Sequence, residues 1–203
     1  ENGLANLRIS KKKFIYLISP NNIYPRFYQD LKEVLKTVKI SFFQLRLKKY
    51  TLKQKILIGK KIRLICKKNS VKFLVNDDPL LAKKLDADGC HLGQKDMSIS
   101  NARKIVGNKI IGITCHNSIK FAKAAIKEKA SYIAFGALFS TTTKKVKFKA
   151  TTKILNKAKK LTKIPIVAIG GINISNYKKL LLNNANLLAI SGYVWNNKKY
   201  KPL

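Results

Sequence analysis

Asp77 and Asp96 are the two acids of this chain best placed to do chemistry. Each follows a short apolar run, residues 73–75 and 90–92, and the stretch between them is helix-like and too short to leave the neighbourhood. Hard divalent cations such as Mg2+ take carboxylate oxygens, usually one or two, and complete their shell with substrate phosphates and water. If both runs are parallel strands ending on one rim, Asp77 and Asp96 share such an ion, with Asn76 adding a neutral amide and Asp78 capping the helix that begins at Pro79. Each acid taken alone suits a helix cap or a lysine partner equally well. With nine acids in the chain, two at adjacent rim positions facing a basic triplet carry more weight.

That triplet is Gln44, Arg46 and Lys48, which alternate with Leu45 and Leu47 and therefore face one side of an extended segment. An arginine fork beside a lysine point charge suits a phosphate or pyrophosphate; the competing reading is the hydrated end of a strand in a lysine-rich chain. Further along, Thr141, Thr143 and Lys144 supply hydroxyls and another ammonium. Gly170-Gly171 and Ile190-Ser191-Gly192 offer backbone N–H groups of the kind that hold phosphate in barrels, after strands seven and eight. Two phosphate sites are thus expected, one metal-assisted and one made mainly of backbone, which matches a diphosphate and a monophosphate.

Such residues converge only if the elements between them bring them together. Residues 14–19, 41–46, 72–77, 89–93, 110–115, 132–138, 165–171 and 187–193 each read as a short strand, nearly all without polar alternation, as in strands covered on both faces. Between them, residues 26–39, 51–69, 79–86, 98–106, 118–129, 151–161 and 175–184 carry helical spacing. Thr51, Ser98 and Ser175 are N-cap types, and Pro79 fits a first helical turn. The alternation describes an α/β protein, a (β/α)8 TIM barrel, in a single domain over residues 1–203 with residues 1–13 as a short extension. Polar residues follow each run, including Thr114 and His116 at the fifth, so the strand ends describe one site. Residues 141–149 are the best candidate for a mobile loop.

At 203 residues and 46% hydrophobic content the chain can bury a full core. It has no apolar run of the roughly 18 residues a membrane span needs and no secretory leader, so a cytoplasmic location and no membrane partner are expected. Three cysteines without CxxC spacing suggest neither a disulfide framework nor a zinc knot. The formal charge of +34 would draw polyanions. Its lysines are spread over nearly every helix, however, as in Lys53, Lys60-Lys61, Lys83-Lys84 and Lys178-Lys179, and not gathered into one arm or recognition helix. No specific nucleic-acid partner is expected; codon bias explains such a surface, and an oligomer is left open.

The motifs QLRLK (44–48), VNDD (75–78), ADGCHLGQKD (87–96), IGITCH (111–116), the AFGALFSTTTK stretch ending at Lys144, IPIVAIGGI (164–172) and AISG (189–192) occur in an order and spacing that resembles the thiamine phosphate synthase family over most of the chain. That resemblance implies a transferase that joins a hydroxymethylpyrimidine diphosphate to a thiazole monophosphate with Mg2+, giving thiamine monophosphate and pyrophosphate. It implies that Gln44, Arg46, Lys48, Asn76 and Lys144 contact the pyrimidine diphosphate and that Asp77 and Asp96 hold the metal. Thr141 and Thr143 would meet the thiazole phosphate, with Gly171, Ile190 and Ser191 completing that site. Arg46, Lys48, Thr114 and Lys144 would carry the catalytic roles. Thr114 stands where the family usually has Ser, at a position that touches the pyrimidine ring, and the loop before Lys144 lacks the family's prolines. The competing readings are a thiazole tautomerase on the same fold, which should lack most of these diphosphate and metal residues, and a basic polyanion-binding protein.

Overall fold

The structure, a computed structural model, describes residues 13–140 and 149–196. Eight parallel strands close into a barrel in chain order: β1 (Ile15–Ile18), β2 (Ile40–Leu45), β3 (Lys72–Asn76), β4 (Gly89–Leu92), β5 (Ile110–Thr114), β6 (Tyr132–Phe135), β7 (Ile166–Ile169) and β8 (Leu187–Ile190). Pairing of β1 with β8 completes the ring, with Leu17 opposite Ile190. Helices α1 (Phe27–Thr37), α2 (Leu52–Lys68), α3 (Pro79–Lys84), α4 (Ile99–Val106), α5 (Ile119–Lys127), α6 (Thr152–Leu161) and α7 (Tyr177–Leu182) connect successive strands, and a one-turn helix α8 (Gly192–Trp195) follows β8. The expected (β/α)8 TIM barrel is the fold observed; α8 is an addition that its four residues gave no periodicity to reveal.

Local signals start most of these helices where the sequence places them. Thr51 and Gln54 form a reciprocal capping box on α2, and the side chains of Asp78, Ser98 and Ser118 accept from Leu81, Asn101 and Phe121 amides. Ser175 is the exception. Its amide and hydroxyl both donate to Asn173 Oδ1, and α7 begins later, at Tyr177, because Asn173 and Asn176 tie the preceding turn to themselves.

Strand residues alternate between two environments. Phe43, Leu45, Phe73, Val75, Cys90, Leu92, Ile111, Ile133 and Phe135 point outward and pack with the inner helix faces into the main core. Tyr16, Ile18, Leu74, Tyr132, Ala134, Val167, Leu187 and Ala189 form a second, smaller cluster inside the ring. The barrel bore is therefore filled, though two of its largest members carry hydroxyls. Gly112 makes one of them possible: a Cβ there would stand 1.8 Å from the Tyr132 ring. All three cysteines are buried and unpaired, and among the described residues no helix is long and apolar enough to cross a membrane.

The end of the barrel where the strands begin carries a plain ion-pair cluster. Asp86, after α3, takes Arg63 of α2 and, at 2.7 Å, Lys109 before β5. The Lys109 ammonium, followed by the Arg63 charge, holds the Asp86 carboxyl below its ordinary range. Two outcomes follow. Gly112→Ala drives a methyl into a fully buried ring and should lower stability by about 1–3 kcal/mol, read as a lower urea midpoint at unchanged slope. Asp86→Asn should lower Tm at pH 7; because the folded-state pKa is depressed, the gap between variant and parent should close as pH falls below about 3.9 and the parent's own carboxylate is protonated.

Candidate active site

All eight strands run the same way, so the residues following Ile18, Leu45, Asn76, Leu92, Thr114, Phe135, Ile169 and Ile190 ring a single mouth. Gln44 and Arg46 continue one face of β2 while Leu45 and Leu47 are buried in the outer core. Gln44 turns into the bore, where its Nε2 donates to Tyr16 Oη at 2.7 Å. Arg46 reaches sideways to Asn21 Oδ1 at 3.0 Å, over the end of β1, and its amide donates to Ser19 Oγ at 2.8 Å. Lys48 reaches the other way and grips Asp77 Oδ2. One strand end thus spreads an amide, a guanidinium and an ammonium over three neighbouring sectors of the rim.

Asp77 has φ 64°, in the left-handed region that aspartate tolerates better than most residues. Its amide donates to His91 O at 2.7 Å, and Asn76 Nδ2 donates to its Oδ1 at 2.8 Å, so the carboxylate is fixed on both sides. Asp96 comes from the turn after β4, where its Oδ2 accepts from the Gly93 amide at 2.7 Å. Its carboxyl meets that of Asp77 within hydrogen-bonding reach. Burial pushes the Asp96 carboxyl above the ordinary carboxylate range and the Asp77 carboxyl adds to the rise, against the Gly93 amide and the Lys48 ammonium. Asp77 and Asp96 are thus neighbours on the rim. Asp78 does what its position implied and caps α3.

Among the described residues no group of three or more His, Cys, Asp and Glu converges. The donor set at the rim is two carboxylates with an adjacent amide, all oxygen and no sulfur. That fits a hard cation which keeps most of its shell for water and ligand oxygens, and does not fit zinc.

Across the mouth, Gly170 and Gly171 turn the chain after β7 with φ 104° and 62°. A Cβ on Gly171 would lie 2.1 Å from Ser140 O, so only glycine fits there. Asn176 Nδ2 donates to Gly171 O at 2.9 Å and fixes that peptide, a role the sequence did not flag. Ile190 ends β8 half-buried, and Ser191 Oγ donates to Ser19 O at 3.2 Å, tying the eighth strand end to the first. Thr141, Thr143, Lys144 and most of the 141–149 stretch lie outside the described residues.

Thr114 closes β5, and its Oγ1 is 2.8 Å from His91 Nε2. His91 was not singled out from the sequence, nor were Tyr16 and Tyr132; in short apolar runs the three pass for core. The signal that would have found them is phase, since all share the inward face with Gln44 and Thr114. His116 sits at φ 52° with its ring edge-on to Phe121, 6.4 Å between centroids, on the α5 side of the rim.

The class is that of a (β/α)8 barrel whose carboxyl rim carries a two-glycine turn, a basic strand end and a carboxylate pair. Comparison with known proteins narrows that class. A family model described as thiamine monophosphate synthase matches residues 15–194. The thiamine-phosphate synthase of Pelagibacter ubique is 68% identical over 193 residues, 95% of this chain and 93% of that protein. That of Rhodospirillum centenum is 37% identical over 90% of this chain and 89% of its own. The solved thiamine phosphate pyrophosphorylase from Pyrococcus furiosus superposes with a TM-score of 0.82 at 30% identity, covering 91% of this chain and 88% of that one. The chain belongs to the thiamine monophosphate synthase family.

The carboxylate pair makes a prediction independent of any ligand. Asp77→Asn keeps a side chain that tolerates positive φ and removes a like charge. The Asp96 pKa should then fall relative to the parent, as measured by carbon-detected NMR of the carboxyl; an unchanged value would contradict the pairing.

Proposed function

We propose that the rim condenses 4-amino-5-hydroxymethyl-2-methylpyrimidine diphosphate with a thiazole monophosphate, releasing thiamine monophosphate and pyrophosphate, with the chain acting as one barrel domain in the cytoplasm. Membership of the family makes the chain a transferase of thiamine biosynthesis. The observation that carries the site assignment is the cluster of Lys48, Asp77 and Asp96, set on the same rim as Gln44 and Arg46 and facing the Gly171 turn.

In this reading Asp77 and Asp96 hold Mg2+, which when bound neutralises the diphosphate and stabilises the departing pyrophosphate. Arg46 and Lys48, with Lys144 from outside the described residues, bind the diphosphate from different sectors of the rim, and Asn76 orients Asp77. The bond between the pyrimidine methylene and the diphosphate oxygen breaks with both electrons leaving on oxygen. The methylene, now cationic and stabilised by the aminopyrimidine ring, is captured by the lone pair of the thiazole nitrogen, which forms the new C–N bond. Gln44 and Thr114 orient the pyrimidine at the floor of the mouth. Thr141, Thr143 and the backbone of Gly171, Ile190 and Ser191 bind the thiazole phosphate. No covalent enzyme intermediate is needed, and holding the two rings in line supplies much of the acceleration.

Two substitutions and one omission test this. Asp77→Ala and Asp96→Ala should each lower formation of thiamine monophosphate from the two phosphorylated heterocycles by at least about 100-fold, a loss in the range seen when transition-state electrostatics are removed, while circular dichroism and Tm stay close to the parent. Chelating the metal should stop turnover and added Mg2+ should restore it. Near-normal turnover in both variants would refute the metal assignment.

A further inference from the structure

The bore of the barrel carries a line of polar side chains that phosphate and metal binding do not use. Gln44 Nε2 donates to Tyr16 Oη at 2.7 Å. The Tyr16 and Tyr132 hydroxyls are 2.6 Å apart. Tyr132 Oη is 2.7 Å from His91 Nδ1, and His91 Nε2 is 2.8 Å from Thr114 Oγ1. Five strands, β2, β1, β6, β4 and β5, contribute one member each, and Gln44, Tyr16, Tyr132 and His91 are all buried.

Proton counting gives the line a direction. Each phenol has one hydrogen, and a neutral imidazole has one donor and one acceptor nitrogen. Burial is the main force pushing both phenols above the ordinary range of about 10, so both keep their hydrogens. With Gln44 donating into Tyr16, the Tyr16 hydrogen goes to Tyr132 and the Tyr132 hydrogen to His91 Nδ1. His91 then carries its proton on Nε2 and donates to Thr114 Oγ1, which leaves the Thr114 hydroxyl hydrogen outside the line. The opposite order at the phenols would bring two donors onto Tyr16 Oη and drive the Tyr16 hydrogen out of the line. Turning the Gln44 amide over reverses every link in step. The two ends, on opposite sides of the bore, are therefore not independent.

We propose that Tyr16, Tyr132 and His91 are positioning residues that lock Gln44 and Thr114 into a matched pair, the Gln44 carbonyl as acceptor and the Thr114 hydroxyl as donor, and so select a heterocycle edge with an amino group beside a ring nitrogen. This rests on the reading above in which Gln44 and Thr114 face the pyrimidine. A ring bearing an oxo group and a ring N–H there presents the opposite pattern and is disfavoured. A fully satisfied network also resists partial change, since each broken link strands a buried group.

The sequence has two histidines, so protein labelled with 15N in histidine gives two ring systems, assigned with His116→Gln. In the parent at pH 8, His91 should show a protonated Nε2 and a bare Nδ1. Gln44→Glu, recorded from pH 8 to pH 9.5, places a carboxylate acceptor at the far end of the line and should move the His91 proton to Nδ1, three side chains away. In Tyr132→Phe the KM for the pyrimidine diphosphate should rise roughly tenfold, the loss of about one buried hydrogen bond, while the KM for the thiazole phosphate stays put and the retained His116 signal and Tm report an intact fold. A parent with its His91 proton on Nδ1, or a His91 ring unmoved by Gln44→Glu over that range, would overturn the directed line. A ring that moves as expected with an unchanged pyrimidine KM in Tyr132→Phe would overturn the positioning role. Absence of thiamine monophosphate formation by the parent would instead sink the functional reading, and the ring measurement would still stand or fall by itself.

Discussion

Closure of eight parallel strands is the constraint from which the rest follows. Pairing β1 with β8 leaves no strand edge unpaired, and it forces every strand to finish at the same end of the molecule. Residues as far apart in sequence as Ser19 and Ser191 then touch, and Lys48 meets Asp77 across one strand boundary. The bulk of the stabilisation comes from outside the ring, where outward strand residues pack against helix faces. That leaves the bore and the rim freer to carry residues chosen for chemistry.

At the rim the electrostatics are arranged in opposition. Two carboxylates are brought together, one of them partly withdrawn from water, in a chain whose formal charge is +34. Repulsion between Asp77 and Asp96 is relieved in part by Lys48, and the positive φ of Asp77 is held by the His91 carbonyl and the Asn76 amide. Holding two like charges this close has a cost that the neighbouring ammonium offsets only in part. By contrast, at the opposite end the exposed Asp86 carboxylate sits between two cations, Arg63 and Lys109, and among the described residues no second carboxylate is brought against it.

The bore departs from the aliphatic filling usual in such barrels. Tyr16, Tyr132, His91 and Gln44 displace branched side chains there, and a glycine at 112 is kept so that the Tyr132 ring can lie across it. The two phenols and both ring nitrogens of His91 have partners along the line, so their burial is tolerable, though an apolar core would achieve stability more simply. The arrangement makes physical sense as a floor for a ligand that must be told apart by its hydrogen-bonding edge.

By itself the sequence determined the alternation of strands and helices, their order, the caps at Thr51, Asp78 and Ser98, and which polar residues, Gln44, Arg46, Lys48, Asn76, Asp77 and Asp96 among them, stand at the ends of apolar runs. These are short-range matters: apolar runs, helical spacing and polar residues at run ends all lie within a few residues of one another. It misplaced the start of α7 at Ser175, because Asn173 Oδ1 takes the Ser175 amide and hydroxyl while the Asn176 side chain reaches back to the Asn173 amide and the Gly171 carbonyl. Only the tertiary structure decided that Arg46 and Lys48 reach in opposite directions along the rim, that Asp96 presses on Asp77, and that two tyrosines and a histidine within apolar runs join Gln44 to Thr114. Those facts depend on which strands become neighbours and on the phase each brings into the bore. Tyrosine and histidine fill a core as readily as they bond across one, so their role appears once the ring has closed.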